Sequence, residues 1–140
     1  MKTALVLVFI ATVVLGSDMD RVDNALKDND YEKAFLLLKP LAASGDPDAQ
    51  FQLSILYTHG KGTKVNTQKS LKLLRESAAQ DQANAQYTLA VNYCYGENVT
   101  KDLYKCAKWA KKAKDNGKYV NRLWGNYKLD KYIKEEETKQ

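Results

Sequence analysis

Residues 49–62 read AQFQLSILYTHGKG, and this stretch decides the fold because the chain writes it twice. Residues 85–98, which lie 36 positions later, read AQYTLAVNYCYGEN. When the two stretches are aligned, the same alanine, glutamine, leucine, tyrosine and glycine residues stand at equivalent positions. The next stretch also repeats without a gap, because Lys69 and Leu73 fall on Lys105 and Trp109. A fixed period of this length is the signature of a repeat architecture.

Each repeat unit contains two helical patterns. Ala49, Leu53 and Tyr57 are spaced four apart, which places them on one buried face of a first helix. Small and apolar residues at helical spacing follow, and Asn66 and Asp102 precede them as good N-caps of the second helices. The predicted helices are residues 48–59, 66–80, 84–95 and 102–115.

The glycines of Gly60-Lys61-Gly62 allow two interpretations, a phosphate-binding loop or a corner between helices. A phosphate-binding loop follows a strand and continues into Lys-Ser/Thr or a third glycine. Here the glycines follow a helical pattern, and the segment recurs as Gly96-Glu97-Asn98. Glycine and asparagine tolerate the left-handed backbone region best, so the segment predicts a helix-to-helix corner.

The pattern A-x-A-Q-x-x-L-(G/A/S)-x-x-Y-x-x-G-x-(G/N) resembles the Sel-1-like repeat family, whose units are relatives of tetratricopeptide repeats. The resemblance covers about residues 22–119, with Asp81 standing where the family usually has glycine. It implies an all-α fold, a short right-handed α-solenoid of antiparallel helix pairs with about seven helices. The predicted divisions are a signal peptide at 1–16, an N-terminal helix pair at 17–47, repeat units at 48–83 and 84–117, and a C-terminal capping helix and tail at 118–140.

Inside the C-terminal capping helix, the predicted inner side consists of apolar and aromatic residues. They are Leu123, Trp124, Tyr127 and Ile133.

The N-terminus carries an export signature. Residues 3–15 are uncharged and apolar after Lys2, which is shorter than the ~20 residues of a membrane-spanning helix. A basic start followed by a short apolar run and small residues is typical of a secretory signal, with cleavage expected near Gly16 or Ser17. We therefore expect an exported mature chain, periplasmic or secreted and bacterial in style, with no stable membrane span. An uncleaved N-terminal anchor is the alternative.

The charge is uneven along the chain. The formal net charge is +5, but residues 101–134 alone hold 11 basic and 3 acidic side chains. Such a basic end favours an acidic partner or an anionic membrane surface. A solvated helix face is the stronger interpretation because lysine outnumbers arginine there. We expect no nucleic-acid partner for an exported chain.

The family resemblance implies that the first helices line the concave side of the stack. The exposed positions opposite the core, together with one residue of the cap, are named the concave stripe: Gln52, Leu56, His59, Thr88, Asn92, Tyr95 and Trp124. These positions differ between the two units, as a partner-specific surface or an unconstrained surface would. Because an exposed Leu56 beside His59 and Tyr95 favours binding, we predict that the stripe contacts another protein or peptide.

The two cysteines belong to the second unit only. Cys94 and Cys106 correspond to Thr58 and Ser70 in the first unit. An even count in an oxidising compartment favours a disulfide, but a Cα separation above about 7 Å would forbid it. The sequence therefore favours a bridge and leaves two free thiols as the alternative.

Catalytic signals are absent from the sequence. His59 is the single histidine, and no nucleophile–base or paired-carboxylate spacing stands out, so we predict no catalytic residue, no metal ligand and no cofactor. The expected function is an exported protein–protein interaction scaffold, either a monomer or a weak homodimer. The resemblance also permits an immunity or inhibitor protein that neutralises a secreted toxin. A weak β-lactam-binding hydrolase is a third interpretation, although the cysteine spacing of such relatives differs from that found here.

Overall fold

The computed structural model describes residues 18–137, and within that range the chain is entirely helical with eight helices. The all-α solenoid prediction is confirmed, whereas the predicted signal peptide at residues 1–16 lies outside the described residues. No helix between residues 18 and 137 is long and apolar enough to cross a bilayer. The helices are α1 (residues 18–27), α2 (Tyr31–Ala43), α3 (Pro47–His59), α4 (Thr67–Ala79), α5 (Ala83–Tyr95), α6 (Leu103–Asp115), α7 (Asn121–Tyr127) and α8 (Asp130–Glu137).

The second helices begin at the predicted N-caps. The Asn66 side chain accepts a hydrogen bond from the Lys69 backbone N–H at 2.9 Å, and Asp102 accepts the equivalent bond from Lys105 at 2.9 Å. The Lys105 backbone N–H is also the main reason why the pKa of Asp102 lies below its ordinary value. These bonds satisfy donors that the first turn of a helix leaves unpaired.

The corners between first and second helices take the left-handed conformation expected of them. Gly60 has φ 64° and Gly96 has φ 79°, while Gly62 and Asn98 have φ 66° and 60°. The corner interpretation of the glycine segment is therefore confirmed. Each corner closes with the same backbone bond, because the N–H groups of Asn66 and Asp102 each donate over 2.9 Å to the tyrosine carbonyl nine residues earlier.

A buried polar contact recurs once per repeat and ties neighbouring helix pairs together. The Gln50 amide donates to the Ala42 carbonyl at 3.3 Å and accepts from Gln80 at 2.8 Å. Gln86, 36 positions later, makes the equivalent bonds. Its amide donates to the Ala78 carbonyl at 3.1 Å and accepts from the Asn116 amide at 2.9 Å. A buried glutamine therefore has the same role in both units, and its recurrence at a 36-residue spacing is the sequence signal for this role.

Replacing Gln86 with leucine should lower the free energy of unfolding by about 2–3 kcal/mol. The change removes three hydrogen bonds, which the Gln86 amide donates to the Ala78 carbonyl and the Asp81 carboxylate and accepts from the Asn116 amide, and each such bond contributes about 1 kcal/mol. Urea unfolding followed by circular dichroism measures the effect. As a control, Thr88→Ala on the same helix should change stability by less than about 0.5 kcal/mol. Equal midpoints for the two variants would contradict the structural role of Gln86.

The C-terminal cap consists of two helices, α7 and α8, where the sequence predicted one, so the described chain has eight helices beside the expected number of about seven. The chain turns between α7 and α8 at Lys128, which has φ 49°. The turn directs Leu129, which is fully buried, into the same core cluster as Leu123. The predicted inner side is confirmed, because Leu123 is buried and three half-buried residues pack against that cluster: Trp124, Tyr127 and Ile133.

Candidate functional site

Two members of the concave stripe are buried rather than exposed. Leu56 is 3 % exposed and Asn92, its counterpart in α5, is 7 % exposed. The prediction of an exposed Leu56 is wrong because Leu56 is part of a core cluster that also contains residues of α1 and α2, among them Val22 and Leu38. Leu56 therefore holds the N-terminal helix pair against the first repeat.

The remaining stripe residues of the first helices are accessible. Gln52 and Thr88 are half-buried, whereas His59 and Tyr95 are exposed. Residues seven apart in a helix share one face, so Gln52 and His59 lie on one side of α3. Thr88 and Tyr95 lie on the equivalent side of α5. We name these four residues the open stripe.

Gln52 carries an unusual feature of the open stripe. Its Oε1 is the one buried side-chain oxygen or nitrogen in the described part of the chain that has no hydrogen-bond partner. Its counterpart Thr88 is satisfied locally, because the Thr88 hydroxyl donates to the Asn84 carbonyl of the same helix at 2.8 Å. An unpaired buried acceptor is costly, and an N–H group supplied by a bound segment would satisfy it once the half-buried Gln52 side chain rotates outward.

Tyr95 extends the open stripe towards the C-terminal cap. Its ring meets the Tyr127 ring edge-to-face, with centroids 5.6 Å apart, and the Lys101 ammonium lies 5.6 Å from the Tyr127 centroid. Partial burial, and then the neighbouring Tyr95, raise the pKa of Tyr127 above its ordinary value. At pH 7 the Tyr127 hydroxyl therefore remains protonated and able to donate a hydrogen bond.

Trp124 has different surroundings from the open stripe. Its indole N–H donates to the Asp130 carboxylate at 2.7 Å, and the Lys114 ammonium lies 5.3 Å from the ring centroid. These contacts lie within α6, α7 and α8, so they anchor the cap. A role for Trp124 in binding stays a prediction.

Cys94 and Cys106 form a disulfide that joins α5 to α6, with a Cα separation of 5.2 Å. In the first unit the equivalent residues make a hydrogen bond instead, because the hydroxyl oxygens of Thr58 and Ser70 are 2.6 Å apart. The two hairpins thus approach at the same point, once through a hydrogen bond and once through a covalent bond. The favoured sequence interpretation agrees with this geometry.

His59 lies in the last turn of α3, directly before the left-handed Gly60. Between residues 18 and 137, no three histidine, cysteine, aspartate or glutamate side chains come close enough together to hold a metal ion. The open stripe combines an exposed tyrosine, an exposed histidine and an amide oxygen without a hydrogen-bond partner.

Comparison with known proteins places these features in a family. The family model described as Sel1 repeat matches residues 25–46, 47–82 and 83–118. No curated protein is significantly similar to this chain. Among solved structures, a Sel1 repeat protein from Oxalobacter formigenes is 31% identical, with a TM-score of 0.61 over 63% of this chain and 25% of its own.

A second solved structure is a protective antigen present in uropathogenic Escherichia coli strains, which displays an SLR fold. It is 28% identical, with a TM-score of 0.64 over 74% of this chain and 24% of its own. The chain therefore spans about a quarter of the length of these two structures. Three consecutive matched repeats, the recurring helix pairs and the recurring glutamine contacts lead to one conclusion: this chain belongs to the Sel1 repeat family.

Proposed function

We propose that this chain is an exported scaffold that holds a segment of another protein against the open stripe. Repeats of this family typically form interaction scaffolds rather than catalytic sites. The observation that carries the proposal is the unpaired Gln52 Oε1, which lies on the same face as the exposed His59. Tyr95, which is 51% exposed on the adjacent first helix, supplies an aromatic side chain of the kind favoured at interfaces.

Two features of the chain support export. The Cys94–Cys106 disulfide is of the kind that persists in oxidising compartments. The apolar run at residues 3–15 has the length and the basic start of a secretory signal. N-terminal sequencing of the mature protein tests this part. A first residue near Ser17 supports export with cleavage, and an intact Met1 contradicts it.

The binding proposal is tested with a photo-crosslinking amino acid placed at Tyr95 and, in a separate variant, at Tyr119. Tyr119 is 78% exposed but lies in the connection after α6, so it is a matched aromatic control. We expect one saturable cross-linked product from position 95 and none from position 119. An excess of unlabelled chain should compete for this product, whereas the Gln52→Leu/Tyr95→Asp variant should compete at least about tenfold less well.

Equal cross-linking from both positions would contradict a role for the open stripe. The identity of the cross-linked protein then separates two kinds of scaffold. A toxin would indicate an inhibitor or immunity protein, and a protein of another kind would indicate an adaptor.

A further inference from the structure

The opposite side of the molecule carries two grooves that are one repeat apart. The first lies between α2 and α4, and the second lies between α4 and α6. Tyr57 of α3 lines the first groove, and its counterpart Tyr93 of α5 lines the second. The two grooves are formed by equivalent helices of successive repeats but differ in their side chains. Binding to one groove can therefore be compared with binding to the other.

The second groove is strongly cationic. Its charged lining residues are Arg75, Lys105, Lys108 and Lys112, and the carboxylate of Asp102 in the adjoining hollow pairs with one of them, 3.3 Å from Lys105 Nζ. The first groove contains three lysines but also Glu76, which lies 3.8 Å from Lys72. Glu76 and Lys112 occupy equivalent positions 36 residues apart. The side-chain charge at this equivalent position is therefore negative in the first groove and positive in the second.

Aromatic rings hold the cations of the second groove in place. Lys105 Nζ lies 5.4 Å from the centroid of Tyr93, and Lys112 Nζ lies 5.2 Å from the centroid of Trp109. Cation–π contacts of this kind are favourable and restrict the lysine side chains. Leu73 occupies the position of Trp109 in the first groove, so that groove has no ring there.

We propose that the groove between α4 and α6 binds an acidic peptide segment of a partner protein. Carboxylates would meet ammonium groups already positioned by the rings, and apolar residues of the segment would contact the flank of Trp109. The groove continues into an adjoining hollow that shares Arg75, Tyr93 and Lys105 with it and is also lined by Lys101 and Asp102. This surface lies on the second helices, so it is separate from the open stripe.

Two other anionic partners fit less well. Single-stranded nucleic acid stacks its bases on open ring faces, but ammonium groups cover the faces of Tyr93 and Trp109. An anionic bilayer favours apolar side chains that protrude from a basic face, whereas the aromatic side chains here line a recess between two helices. Charge and shape together favour the peptide.

The test measures anisotropy of a fluorescein-labelled, glutamate-rich synthetic peptide that contains one phenylalanine. Lys112→Glu, which installs the residue of the first groove, should weaken binding about tenfold. Lys27→Glu on α1 makes the same change in net charge and should leave affinity within about twofold. Conversely, Glu76→Lys should tighten binding by creating a second cationic groove, while Asp20→Lys should have no such effect.

Trp109 provides a direct readout. In a Trp124→Phe background it is the remaining tryptophan, so peptide binding should change its fluorescence. Circular dichroism checks that each variant is folded. If Lys112→Glu does not fold, the change in Trp109 fluorescence and the tighter binding of Glu76→Lys test the proposal instead. Equal losses from Lys112→Glu and Lys27→Glu would overturn the proposal. Tighter binding of a single-stranded oligonucleotide or of phosphatidylserine vesicles than of the peptide would also overturn it.

Discussion

Removing the disulfide by changing Cys94 and Cys106 to alanine should lower the free energy of unfolding by about 3 kcal/mol. The bridge closes a short loop, because the two cysteines are 12 positions apart, and a loop of this size restricts the unfolded chain by about that amount. Guanidinium unfolding of the wild type with and without reductant, compared with the variant, measures the effect. Reductant should shift the wild type and leave the variant unchanged.

The first repeat supplies a matched control for this experiment. The variant Cys94→Thr/Cys106→Ser installs the pair found at Thr58 and Ser70, whose hydroxyl oxygens are 2.6 Å apart. A hydrogen bond contributes about 1 kcal/mol, so this variant should be about 2 kcal/mol less stable than the wild type rather than about 3. Midpoints that match the oxidised wild type would show that the covalent bond adds nothing to stability.

Gly62→Ala should be the most damaging single substitution in the corners, with an expected loss of about 2–5 kcal/mol. The backbone of Gly62 has φ 66°, which costs about 1–2 kcal/mol for a residue with a Cβ. The added methyl group would also overlap the Tyr31 carbonyl at the start of α2, which the backbone cannot readily move away. Overpacking of this kind costs about 1–3 kcal/mol more.

Gly117→Ala separates the two contributions to this loss. Gly117 has φ 83°, but no atom lies within 4 Å of the position that its Cβ would occupy. This variant should therefore lose only about 1–2 kcal/mol, which is the conformational part alone. Thermal unfolding of both variants measures the difference. Equal losses would show that the contact of Gly62 with α2 relaxes without cost.

The solenoid could be predicted because each of its units is specified locally. The spacing of Ala49, Leu53 and Tyr57, the N-cap at Asn66 and the left-handed Gly60 act within one or two turns of chain. A 36-residue identity then implies that the units stack, since neither unit can bury its apolar face alone. The buried glutamines also recur at this spacing, but only the hydrogen bonds of Gln50 and Gln86 show their role.

The binding surface was less predictable from the same residues. A helical period shows which residues share a face, but it does not show which flank of that face a neighbouring helix covers. Leu56 illustrates this limit, because it is buried in one core cluster with Val22 and Ala25 of α1, a helix that lies outside the matched repeats for most of its length. The cap shows the same limit, since the turn at Lys128 depends on where Leu129 finds space in the core.

The amino-acid sequence alone therefore determined the repeat length, the helix pairs, their caps and corners, and the family. Tertiary structure decided which stripe residues remain open, that Cys94 and Cys106 lie close enough to bond, and that the basic residues of α4 and α6 line one groove. The physical reason is distance along the chain. Hydrogen bonds, caps and backbone conformation act between near neighbours, whereas burial and charge proximity depend on how helices tens of residues apart are packed.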